Sequence, residues 1–259
     1  SNCLLCQNVC RMGSGLAQFD PSGYLVDHAE YDTKKFHLHT DDTFWASYDR
    51  VLTAAPAALA DLEKAFGLVK EPHGLVADLQ LRPFVAPISN TMLDFGHVFI
   101  IHGLFQFEVT EFLLRAKAMV GIKPEHIHAW FQAWAWPKSE HNPPKAVFND
   151  IHAAHTEFKA SSSESLSLYP VLRAFVEEFI GDIAMVDEVR SFMSMCRVLD
   201  GWKSYQSGGL GDSQEWQDEI ELHHGLFVIA YGKAVVKPKH HRALHFGQML
   251  NRFGILQAT

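Results

Sequence analysis

The chain has 259 residues, 47% of them hydrophobic and 20% charged, with 17 Gly and 11 Pro. That composition excludes disordered, collagen-like and low-complexity classes, and the length allows one large domain or two modest ones. The formal net charge of -8 opposes a nucleic-acid binder that works by overall positive charge, so any hold on phosphates needs a local basic patch.

Residues 1–40 lack helical periodicity and mix Cys, Gly, Asp and His, which reads as a loop-rich knuckle. The chain opens on Ser1-Asn2-Cys3 without an initiator Met, a basic leader or a small-residue cleavage site, so the expectation is a fragment rather than a natural start. Three cysteines (Cys3, Cys6, Cys10) fall in the first ten residues and Cys196 is remote. This is no disulfide framework, and it fits a reducing compartment.

Thr40, Asp41 and Asp42 are good caps for a helix with apolar Trp45, Tyr48, Val51 and Leu52, and Pro56 kinks it or starts a second helix that ends at Gly67. Residues 73–90, broken by Gly74, Asp78, Pro83 and Pro87, predict extended pieces and turns, with residues 91–94 closing a short buried strand. Residues 95–120 predict one long buried helix, with Glu108, Glu111 and Arg115 on its polar face. It is not a membrane span, because His97, His102 and Gln106 interrupt its most apolar run.

Further helices are expected over residues 124–136, 145–159, 165–180, 182–202, 215–231 and 240–253, with breaks at Pro143-Pro144, Ser161 to Ser163, Gly181, Gly208-Gly209, Gly211 and Pro238. The fold expected is mainly α with a small β part near residues 70–95. Residues 1–42 form the knuckle and residues 43–259 the remainder.

Cys3-x-x-Cys6 is the strongest metal signal, since two thiolates three positions apart in a turn can take two corners of a zinc tetrahedron. The other corners are open among Cys10, His37 and His39, and the last two would point to opposite sides of an extended segment. The competing reading is an unliganded pair. Asp94, at the expected strand end and one turn before His97, either holds a metal or caps the helix. Glu164 opens a helix and complements its dipole. The pairs His152/His155 and His241/His245 have spacings that share a helix face, but with 16 His such pairs arise by chance and both read as non-metal. Glu215, Glu219 and Glu221 read as a solvated face.

Taken in order, Cys3-x-x-Cys6, Asp94-x-x-His97 heading a hydrophobic helix with Gly103, Phe158-Lys159-Ala160 ahead of Glu164 with Leu168-Tyr169-Pro170, and Pro238-x-x-His241 through Leu244-His245 to Phe253-Gly254 form a pattern. It resembles DDE transposases of the CACTA and KDZ or Plavaka type, as in transposon-derived reading frames of dinoflagellate-like algae. The resemblance spans nearly the whole chain through short motifs. It departs at Gly96, where the family has Met, and at Ser165, where the family has Trp.

The resemblance implies a partial RNase H-like α/β core with a large helical region. It makes Asp94 the second catalytic acid, Glu164 the third and His97 the partner of Asp94, with the first Asp upstream of Ser1 and Asp78 an alternative strand-end acid. Carboxylates so arranged would hold Mg or Mn for phosphodiester cleavage and strand transfer, beside a structural Zn. It further implies DNA at transposon ends as partner, no membrane partner, a nuclear location and room for a homo-oligomer. The local basic patch would be Lys233, Lys237, Lys239, His240, His241 and Arg242. Two rivals are a non-catalytic, transposon-derived zinc-binding helical interaction module and a helical metallohydrolase built on His152 and His155.

Overall fold

The computed structural model describes residues 3–10, 24–138, 148, 157–181, 184–208 and 212–254. The chain divides into two units, Ser1–Leu93 and Asp94–Thr259. Among the described residues it is mainly helical, with one two-stranded sheet.

In the first unit β1 (Val9–Cys10) pairs in parallel with β2 (Val26–Asp27), Val9 opposite Val26. Residues 5–8 are sewn to residues 35–39: Cys6 bridges Leu38, Gln7 N–H donates to His37 O at 2.8 Å and His39 N–H to Leu5 O at 2.9 Å. The buried Asn8 side chain donates to Lys35 O and accepts from His37 N–H, each at 2.9 Å. An amide that uses donor and acceptor together replaces a ladder where the chain is too irregular for one.

Helix α1 (Asp41–Leu52) starts in a reciprocal Thr40/Thr43 capping box, and α2 (Pro56–Phe66) starts on Pro56 and stops at left-handed Gly67, as expected from the sequence. Val51, Leu62 and Phe66 form the core between them.

The strand expected up to Asp94 is absent. Leu75–Ala77 and Arg82–Phe84 are 3-10 turns, and the amides of Ile88 and Ser89 donate to Asp41 Oδ1 at 2.7 and 3.0 Å. Pro83 and Pro87 lack the N–H that a ladder requires, so this segment is satisfied by turns and one carboxylate.

In the second unit the expected single helix over residues 95–120 is broken. A π-helical turn, Gly96–Ile100, is followed by His102 at φ 47° and then by α3 (Leu104–Val120). Gly103 is required at the break, because a Cβ there would overlap the Phe99 backbone. Lys239 Nζ donates to the freed carbonyls of His97 and His102 at 2.6 and 2.8 Å. Phe105, Val109, Phe112 and Ala116 bury one face of α3. By length and hydropathy Gly96–Val120 could cross a membrane, but 56% of that window is buried inside the protein, as suits a core helix.

The remaining helices are α4 (Pro124–Ala133), α5 (Ser162–Phe179), α6 (Val186–Gln206), α7 (Ser213–Tyr231), α8 (Pro238–Ala243) and α9 (Phe246–Phe253). Most of the helix expected over residues 145–159 lies outside the described residues, and its described end, residues 157–159, is not helical; the start of the one expected at Asp182 also lies outside them. The single helix expected over residues 240–253 is two, joined at Leu244–His245. Helices α6 and α7 approach closely where Gly201 faces Trp216, whose indole N–H donates to Val198 O at 2.9 Å. Phe95 stacks on Trp202 at 3.9 Å, and Phe99, Trp216 and Phe246 complete an aromatic core.

Candidate metal centre

Cys3 and Cys6 are buried free thiols in one tight turn. Cys6 N–H donates to Cys3 O at 3.4 Å, and Leu5 N–H points at Cys3 Sγ at 3.4 Å. The hydrogen bond to Cys3, burial and the charge of Cys3 together push the Cys6 thiol far up from its ordinary value. Two touching thiols in a dry turn resist ionisation alone, and a borderline cation that replaces their protons relieves the conflict.

The other knuckle residues are placed differently. Cys10 is buried in β1. His37 is exposed, its N–H bonded to Asn8. His39 is half-buried with Nδ1 3.0 Å from Thr43 Oγ1, and burial lowers its pKa against an opposing pull from Cys3.

His241, near the end of α8, and His245, at the start of α9, are 2% and 1% exposed. Their Nε2 atoms face each other at 3.2 Å. Two imidazoles on one tetrahedral zinc, with Zn–N near 2.05 Å, put their nitrogens roughly 3.3 Å apart. The pair therefore already has the edge length of a zinc tetrahedron. His-x-x-x-His is common in a chain with 16 His, so its spacing alone does not single it out. The available signal was its apolar setting, Ala243, Leu244 and Phe246, together with an upstream Cys-x-x-Cys.

Asp94 accepts from Gly96 N–H at 2.7 Å and bonds His97 Nδ1, and its carboxyl is held below its ordinary value by His97 first and the Gly96 amide after it. Both side chains are more than half exposed. Glu164 accepts from Ser161 N–H at 2.7 Å in the capping box of α5. Each carboxylate thus caps a helical turn. Asp78 closes a turn by accepting from Gln80 N–H at 2.8 Å. His152 and His155 lie outside the described residues.

The basic patch is smaller than the sequence suggested. His240 and His241 are buried and Lys239 is engaged with backbone carbonyls, which leaves Lys233, Lys237 and Arg242.

Glu108, expected on a polar face, is fully buried on α3. Its Oε2 lies 2.7 Å from His223 Nε2, and Ser191 Oγ donates to its Oε1. The carboxylate stands between Ser and His, so the imidazole cannot take the Ser proton and the trio is no hydrolytic triad. Glu219, expected to be solvated, is half-buried and accepts from Arg197 at 2.9 Å and from Ser194.

No protein family matches this chain, and no curated protein or solved structure does.

Proposed function

We propose that this protein is a zinc-binding helical module, with Cys3 and Cys6 as a thiolate pair in the first unit and His241 and His245 as an imidazole pair in the second, each able to supply two corners of a zinc tetrahedron. The observation that carries this reading is the donor set. Two buried thiols touch within one turn, and two buried imidazoles stand at a tetrahedral edge. Cys10, His37 and His39 fall outside this ligand set.

Such a module suits the non-catalytic, transposon-derived reading. The strand-transfer reading, with an RNase H-like core, Mg or Mn at Asp94 and Glu164, and DNA at transposon ends in the nucleus, is supported by the motif resemblance. Hard cations seek several oxygens, and these two carboxylates already serve as caps.

Cobalt substitution tests the proposal. The Co-loaded protein should show the intense visible bands of a tetrahedral site and a thiolate charge-transfer band. Octahedral-type weak bands, or no uptake, would overturn it.

A further inference from the structure

Zinc binding through His245 requires that its backbone be fixed, yet His245 lies in a junction between two short helices, where intrahelical bonds are fewest. The junction is held from α7 by one side chain. Gln217 is buried, its Nε2 donates to Leu244 O at 2.9 Å, and its Oε1 accepts from Gly247 N–H at 2.9 Å. The second Nε2 hydrogen goes to Glu221 Oε1 at 2.9 Å. The amide therefore grips the residue before His245 and the residue two after it, as a neighbouring strand would. Both groups are orphans of helix ends, the last turn of α8 and the first of α9.

Gly247 completes the device. A Cβ there would overlap Gln217 Oε1 and lie 2.7 Å from its Cβ, so only glycine lets the amide approach this closely.

We infer that Gln217 is a positioning residue for the metal: it sets the His245 backbone so that the two Nε2 atoms stand at a coordination edge, without touching the ion itself. This inference rests on the zinc reading. Residues that orient a ligand from behind typically change metal affinity roughly 10–100-fold.

The test compares wild type, Gln217→Met and Gly247→Ala in competition titrations of zinc against a chromogenic chelator, with cobalt spectra and metal-free melting curves. Gln217→Met keeps the chain length and loses every hydrogen bond, while Gly247→Ala displaces the amide without altering it. Both should bind zinc roughly 10–100-fold more weakly. The cobalt ligand-field bands should shift, a change that a merely destabilised fold would not produce. Should Gln217→Met fail to fold, Gly247→Ala alone decides. Wild-type affinity and spectra in a folded variant would overturn the positioning role and leave the zinc reading intact. A wild type that takes up no zinc would overturn both.

Discussion

Glu108 and His223 meet inside the helical unit, carboxylate Oε2 to imidazole Nε2 at 2.7 Å, with their side chains 0% and 2% exposed. Ser191 supplies the other carboxylate oxygen with a donor, so α3, α6 and α7 are tied through one acid. Removing one partner of such a buried pair leaves the other polar group uncompensated, at a cost of roughly 3–5 kcal/mol. His223→Ala should lose stability of that order in urea denaturation, and Glu108→Gln less, since an amide still bonds both neighbours. A loss under about 1 kcal/mol for His223→Ala would mean that the pair is wet and weak.

Phe105 is wholly buried and meets Phe158 and Tyr169 edge-on. Phe105→Ala should cost roughly 3–5 kcal/mol through lost transfer energy and the cavity left behind. Phe105→Asp should prevent stable folding by burying an unpaired charge. A melting temperature unchanged by either substitution would contradict this packing.

Asp94 gives a pH signature with a definite sign. Its folded carboxyl is held below the ordinary value by His97 and the Gly96 amide. Its contribution is therefore complete above the unfolded value, about 3.9, and disappears as pH falls through the lower folded value. Asp94→Asn should melt below wild type at neutral pH, and the two curves should converge in the acid range. A gap that persists unchanged at the lowest pH would show that ionisation of Asp94 is not what stabilises the turn.

The hydrogen bond to Cys3 and burial push the Cys6 thiol up from its ordinary value. Zinc uptake by two thiols should release about two protons. Calorimetry in buffers of different ionisation enthalpy reads this number directly, and apparent affinity should fall as pH falls. Uptake without proton release would exclude the thiols as ligands.

Much of the helical pattern was legible because local chemistry fixed it. Thr40 caps α1, Pro56 opens α2 and Gly67 closes it, each by a rule confined to a few residues. The break at His102–Gly103 was hidden because apolar residues run through it, so hydropathy is continuous where the backbone is not. The two-residue strands β1 and β2 are too short to show alternation. The burial of Glu108 is hidden for a different reason: its partner is 115 positions away, and nothing local on the helix announces that contact. The Cys-x-x-Cys turn announced itself, whereas His241 and His245 were lost among 16 His until their Nε2 atoms were seen to face each other.

Elemental analysis of untagged protein, beside Cys3→Ser/Cys6→Ser and His241→Ala/His245→Ala variants, tests the account most directly. The predicted result is bound zinc in the wild-type chain and less of it in each double variant, because each variant removes two ligands. Wild-type protein free of zinc, or double variants that both retain the wild-type zinc content, would contradict the proposed ligand pairs.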